Sequence, residues 1–354
     1  MSDFIVAPGE IIKEYLDARG LTQKEVSKRT GVSERHLSQL LNGKTRLTED
    51  MALKLEKVMP DVPASFWLNY EVKYQEYLAR EREEAHLEEL DLKEIAKRFH
   101  FKEAFGRASG MSLVEQATAM LKILGITDYE RYGNAVPDGI EFMQDGGDSE
   151  AGVVWLGLCK EEIEEQNDTK NAPDYSKDAF VDALSYLKDV ASNTDFMASL
   201  KSCRMLLNSV GVYLVYRPAI ANAKVRGALT YYLGRPTIYI SGRYKTHGDA
   251  WFAIAHEIGH LLDGLGQRGA EISIDDPKLK SSDEDDERAN AYARKFFVDE
   301  DDYRAFAAVG DFSSAAVKGF AASQGTPPGI VVAFLQHDGF VPFAELNDLK
   351  DRFN

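Results

Sequence analysis

Cysteine is scarce in this chain of 354 residues. Cys159 and Cys203 are the only two, they stand far apart, and neither belongs to a metal-type spacing. A disulfide-stapled secreted scaffold and a cysteine-based zinc module are therefore excluded, and the usage fits a reducing compartment. Long hydrophobic runs are lacking too. No stretch approaches the roughly 18 apolar residues of a membrane span, and the first eight residues have neither the basic region nor the apolar core of a signal peptide. A cytoplasmic protein that engages no membrane is expected. Basic charge is also short: 42 Lys/Arg face 58 Asp/Glu, a formal net charge of -16. That excludes a protein that coats nucleic acid along its whole length. The imbalance is uneven, however, because residues 1–60 hold ten Lys/Arg and nine Asp/Glu, a net of +1 that leaves -17 for the remainder. Any DNA contact belongs to the N-terminal segment.

What is present is a length sufficient for two or three domains and a hydrophobic content of 44% that permits proper cores. Residues 9–19 carry Ile11, Ile12, Tyr15 and Leu16 on one helical face, with Gly20 as a stop. Thr22 and Glu25 form a capping box for a second helix in which Val26 points inward. After Thr30-Gly31-Val32, Ser33 caps a third helix with Leu37, Leu40 and Leu41 inside and polar residues outside. A fourth helix runs from Thr48 to about Met59. Two helices joined by a glycine-containing turn are the geometry that lays a recognition helix in the major groove. Candidate base and phosphate contacts are Gln23, Lys24, Lys28, Ser33, Glu34, Arg35, His36, Ser38, Gln39, Asn42 and Lys44, with Arg46 as a further phosphate candidate.

From Val72 to about Phe105 the chain is dense in Glu, Lys and Leu, which predicts a long exposed helix and a connector. Residues 112–128 and 178–208 show helical periodicity. Pro137-Asp138-Gly139, Gly146-Gly147-Asp148 and the run from Asn167 to Pro173 mark loops. This region offers no chemical motif and reads as a helical spacer or sensor platform.

The segment from Trp251 to Leu262 is the most informative of the chain. His256 and His260 stand four apart in an apolar run and so project from one helical face towards a single ion. Glu257 lies about 100° around the helix, placed to handle a water proton. Zn²⁺ suits neutral imidazole, and an open coordination position leaves room for water. Strands are expected at Gly211–Tyr216, Ala228–Leu233 and Thr237–Ser241, with Gly234-Arg235-Pro236 as a turn. The helix should begin near His247, which either stabilises an oxyanion or caps the helix.

Two histidines do not complete a zinc site. Position 266 is Gly266, so the third ligand is not a histidine six residues after His260 and must come from a later helix. Asp286 shares a buried face with Ala289 and Ala293 and is the prime candidate, with Glu287 as fallback. Asn290, one turn on, is placed to orient a ligand from the second shell. His337 and Tyr244 are weaker candidates for the cleft. Tyr231, Tyr232 and Tyr239 read as core strand residues, and Arg243 as an ion-pair partner of the acidic run Asp283–Glu287.

The N-terminal segment resembles the Xre/Cro-type helix-turn-helix family, and HigA-like antitoxins most closely through Leu47-Thr48-Glu49-Asp50-Met51-Ala52-Leu53-Lys54-Leu55 and Ser65-Phe66-Trp67-Leu68-Asn69. The His-Glu-Ile-Gly-His motif, followed by acidic-x-x-Ala289-Asn290-x-Tyr292-Ala293, resembles the ImmA/IrrE metallopeptidases. Ile240–Lys245, Trp251-Phe252, Gly325–Val332 and Leu335-Gln336-His337 resemble the branch fused to HigA-type domains. That family usually has glutamate where this chain has Asp286, which is one methylene shorter.

The expected fold is mainly α with an α+β C-terminal part: a helix-turn-helix domain at 1–75, a helical connector at 76–205 and a zincin-like metallopeptidase domain with a small sheet at 206–354. The resemblance implies a homodimeric regulator of operator DNA whose zinc peptidase domain cleaves a repressor or antitoxin-type protein. The alternative is a HigA-like antitoxin and autorepressor that binds a toxin and whose peptidase fold is structural or sensory.

Overall fold

The structure, a computed structural model, describes residues 5–106, 110–134, 136, 148–243, 245–264, 271–274 and 284–353. Pro137, Asp138, Gly139, Gly146, Gly147, Tyr244, Gly266 and Asp283 lie outside the described residues. The chain divides into two compact units, Met1–Leu92 and Lys93–Asn354.

The first unit is a bundle of α1 (Pro8–Ala18), α2 (Gln23–Thr30), α3 (Glu34–Leu41), α4 (Glu49–Val58) and α5 (Ala64–Glu88). Short-range side-chain chemistry sets each boundary. The Thr22 hydroxyl accepts from Glu25 N while the Glu25 carboxylate accepts from Thr22 N, a complete capping box. Ser33 and Thr48 accept from His36 N and Met51 N at 3.2 and 3.3 Å. Gly31 ends α2 at φ 72°, where a side chain would be strained. The enclosed core is Ile12, Leu16, Val26, Leu37, Leu40, Leu41, Met51, Leu55 and Trp67. The long helix expected from Val72, with a connector to about Phe105, begins earlier, at Ala64, and ends at Glu88. Trp67 explains the early start: it is 1% exposed and meets Tyr15 and Phe66 edge-on at 5.1 Å, which ties the first turn of α5 to α1.

α6 (Leu92–Arg98) starts at the last residue of the first unit, and the second unit goes on through α7 (Phe101–Phe105), α8 (Leu113–Leu124) and a 3-10 turn at Tyr129–Asn134. It continues with α9 (Ser149–Glu161), α10 (Ile163–Gln166), α11 (Lys177–Ala191) and α12 (Phe196–Asn208). Next come β1 (Tyr213–Arg217), β2 (Val225–Tyr232), β3 (Arg235–Ser241), α13 (His247–Leu262), β4 (Glu271–Ile274) and α14 (Glu284–Phe297). α15 (Glu300–Val309), α16 (Ser314–Ser323) and α17 (Pro328–His337) complete the helices. The sheet order is β1-β3-β2-β4, with β1 parallel to β3 and the other pairs antiparallel. Leu233 and Gly234, both at positive φ, form the β2–β3 turn, one residue before the expected position. The outer edge of β1 is covered by amides: Gln166 bonds both Tyr216 N and Tyr216 O, and Asn167 accepts from Leu214 N at 2.9 Å.

α11 and α12 are not a spacer. Phe180, Leu187, Leu200 and Leu207 share one core with Leu214 and Ile238 of the sheet and Trp251, Ile254 and Ile258 of α13. The expected connector up to residue 205 therefore ends inside this core. α9 was unforeseen because Ala151–Cys159 is buried on every side, so the sequence shows no one-faced period. Its cap is Asp148, expected in a loop, whose carboxylate accepts from Ala151 N at 3.2 Å. Among the described residues, no helix is long and apolar enough to cross a membrane.

Candidate functional site

Thr246 caps α13 by accepting from Asp249 N at 3.2 Å, and its hydroxyl also bonds the Asp249 carboxylate. His247 is thus the first helical residue and not the cap. It is 1% exposed, between Phe196 and Trp251, and burial lowers its pKa against the opposing pull of Asn193 and Asp351. Two turns further, the apolar face of α13 sinks into the core and carries His256, Glu257 and His260 inward with it, all buried.

α14 lies unusually close. A Cβ on Gly259 would stand 2.9 Å from Ala289 Cα, so the helices approach backbone to backbone where the motif has no side chain. That contact brings Asp286, one turn before Ala289, and Asn290, the residue after it, to the two histidines. The three ligand-type atoms lie within 4.8 Å of one another. His256 Nε2 and His260 Nε2 are 2.9 Å apart, and Asp286 Oδ1 is 3.7 and 3.1 Å from them. His256 Nδ1 meets Asn290 Oδ1 at 2.9 Å. If His256 donates there, its Nε2 turns a lone pair towards the other two atoms. Burial acts to raise the pKa of Asp286, but hydrogen bonds and charge from both histidines prevail and hold it well below the usual carboxylate range.

These spacings fit a divalent cation. Ligand atoms of a tetrahedral zinc with bonds of about 2.0–2.1 Å stand about 3.3 Å apart, and the observed separations straddle that figure. Two imidazole nitrogens and a carboxylate oxygen brought this close in a buried site need a proton or a cation between them. Glu287, the fallback, is exposed and outside the cluster. His337 is 82% exposed and faces Asp338. Asp285 of the acidic run pairs with Arg288. Tyr239 is core, with its hydroxyl 3.1 Å from Thr230 Oγ1, whereas Tyr231 and Tyr232 are half-buried and Tyr232 bonds Glu164.

One residue escaped the sequence. A Cβ on Gly227 would stand 2.5 Å from Glu257 Oε1, so this glycine in β2 makes the room in which the Glu257 carboxylate lies. The strand expected from Ala228 begins at Val225, so Gly227 lay just outside the expected element and gave no signal of its own.

On the first unit, Gln23, Lys24, Lys28, Glu34, Arg35, His36, Asn42 and Lys44 are exposed, while Ser38 and Gln39 are half-buried. Three of the candidate contacts serve their own helix. Ser33 is the cap, and Asn42 Nδ2 donates to Ser38 O at 2.7 Å and to Ser38 Oγ at 3.3 Å. Arg46 bonds the buried carboxylate of Glu71, which also accepts from Leu47 N and Gln75.

The comparisons agree with both halves. A helix-turn-helix family matches residues 12–67, and the IrrE N-terminal-like domain, a peptidase family that is typically metal-dependent, matches residues 207–316. The chain carries an Xre-like helix-turn-helix domain at its N-terminal end and an IrrE-like peptidase domain in its C-terminal part. It is 37% identical over 67 residues to virulence-associated protein A' of Dichelobacter nodosus, covering 19% of this chain and 58% of that protein. It is 39% identical over 62 residues to the uncharacterised HTH-type transcriptional regulator YddM of Escherichia coli, covering 18% and 65%. A 65-residue stretch is 38% identical to antitoxin HigA-1 of Vibrio cholerae, covering 18% and 60%. The chain thus spans 58–65% of the length of these relatives.

Proposed function

We propose that this chain is a cytoplasmic, homodimeric regulator that binds operator DNA through α2 and α3 and hydrolyses a peptide bond in a repressor or antitoxin-type protein. The observation that carries the peptidase half is the convergence of His256, His260 and Asp286 beside the buried Glu257. In this reading those three residues hold Zn²⁺, and Asn290 fixes the ring of His256. The ion, when bound, supplies Lewis-acid activation of water and of the scissile carbonyl. Glu257 accepts the proton of the attacking water and passes it to the amide nitrogen as the C–N bond breaks. Gly227 keeps space for its carboxylate. On α3, Arg35, His36 and Gln39 face the base edges, and Lys24, Lys28 and Lys44 hold phosphates. A single small module of this kind binds weakly, and two on a dimer bind usefully.

Glu257→Gln should leave one zinc per chain by elemental analysis while cleavage falls by about 10²–10⁴-fold. The readout is the set of new protein N-termini in cells expressing either form. Chains purified without metal, or identical cleavage by the variant, would sink the mechanism. The likeness to an antitoxin supports a second reading, in which the chain represses its own operator and binds a toxin while the ion serves the fold. That reading gains if zinc is bound and Glu257→Gln changes no N-terminus.

A further inference from the structure

The end of α14, one face of α15 and the segment just past α17 enclose a cleft of about 540 Å³ in the second unit, a size that suits a small organic molecule. Its apolar walls are Val298, Ala307, Ala308 and Phe340. Two of the four are alanines, so α15 gives up volume here, and Phe340 is left 47% exposed. One pair of charges in the lining is closed. The Arg294 guanidinium donates twice to the Asp338 carboxylate, at 3.2 and 2.8 Å, and lies over the rings of Tyr303 and Phe334. The Tyr303 hydroxyl donates to the same carboxylate at 2.7 Å. The other pair is open to exchange. Glu300 and Arg304 stand one turn apart on α15, both exposed. Arg304 donates from Nη2 to Glu300 Oε2 at 2.8 Å and from Nη1 to Asp301 at 3.1 Å.

Exposed ion pairs along a helix contribute little, so a ligand can replace this one at small cost. The charge of the replacement is constrained. An anion that took Arg304 would leave Glu300 unpaired beside a second negative charge, and an amine that took Glu300 would do the converse to Arg304. A molecule that carries a carboxylate and an ammonium close together keeps both side chains paired. It does so against apolar walls, where each contact is stronger than in open water. We propose that the cleft binds a free α-amino acid with an apolar side chain. Arg304 receives its carboxylate, Glu300 its ammonium, and the side chain lies against Ala307, Ala308 and Phe340. No residue of the metal cluster lines the cleft, and the inference does not rest on the peptidase reading.

The test titrates the full chain by calorimetry, up to about 10 mM ligand, with two sets of isosteres. One set is L-phenylalanine, 3-phenylpropionate and 2-phenylethylamine; the other is L-leucine, 4-methylpentanoate and 3-methylbutylamine. In at least one set the amino acid should bind about tenfold or more tighter than either single-charge analogue, the size of one charge-assisted hydrogen bond. Glycine, which lacks the apolar body, should not register. Arg304→Gln should bring the amino acid down to the level of the amine, and Glu300→Gln down to the level of the acid. Ala308→Trp fills the cleft from an exposed position and should abolish binding with the thermal midpoint unchanged. Failure of both amino acids to bind overturns the proposal, as does equal binding by the analogues or by glycine. A preference that survives Arg304→Gln and Glu300→Gln, or binding that survives Ala308→Trp, overturns it equally.

Discussion

The two units of this chain reach their functional surfaces by opposite routes. In the helix-turn-helix unit, every boundary that presents α3 is set by residues three apart in sequence: Thr22 with Glu25, Ser33 with His36, Thr48 with Met51. The polar face then follows from helical phase alone. In the C-terminal unit, the cluster joins side chains of α13 to those of α14, and its geometry depends on a packing event between them. The event is the contact of Gly259 with Ala289, and nothing local to either histidine dictates it. A surface built from local caps tolerates loss of a distant contact, whereas a converged site does not. Damage should therefore be confined to one unit at a time.

The largest effect that sharpens this contrast is expected from Trp67→Ala. Removing a fully buried indole that meets Tyr15 and Phe66 edge-on should cost about 3–5 kcal/mol, enough to unfold a small helical bundle. Operator binding by gel shift should vanish while zinc content remains at the wild-type level. Loss of zinc in the same variant would show that the units do not fold independently.

Gly259→Ala should act in the reverse sense and more mildly. The added methyl meets the backbone of α14 and not a side chain that can turn away, so an overpacking cost of about 1–3 kcal/mol is expected. The helices must part, and Asp286 and Asn290 move away from the histidines with them. Zinc affinity should fall, as read by competition with a chromogenic chelator, while operator affinity is unaltered. Unchanged zinc affinity would mean that the helix contact does not set the cluster.

Much of this was legible in the sequence. Helical phase put His256 and His260 on one face and Asp286, not Glu287, on the buried side of its helix, and the structure holds the Asp286 carboxylate 3.1 Å from His260. The caps of the first unit were legible because each is a three-residue pattern with a single physical cause. What stayed hidden has causes that no periodicity carries. The helix Ser149–Glu161 is buried on every side from Ala151 to Cys159, the start of α5 is decided by where Trp67 finds its aromatic partners, and the bulge at Arg226 exists only once β4 pairs with β2. Ser33 was legible as a cap, whereas the bond of Asn42 to Ser38 was not, because a polar residue near a helix end serves the backbone as readily as a ligand.

The smallest expected effect concerns a titration at the start of α13. Burial beside Phe196 and Trp251 lowers the pKa of His247 from its ordinary 6.5, and Asn193 and Asp351 offset this only in part. A positive charge at a helix N-terminus is disfavoured as well. Below pH 6.5 the unfolded chain takes up a proton that the folded chain still refuses, so stability falls with pH from there down to the lowered value and is complete above it. Thermal midpoints of the C-terminal unit measured from pH 7.5 to pH 5 should therefore decline, and His247→Gln should flatten that decline. The helix-turn-helix unit, whose His36 is exposed, should show no matching slope. An equal slope in both units, or one that survives His247→Gln, would assign the pH dependence to groups other than this buried ring.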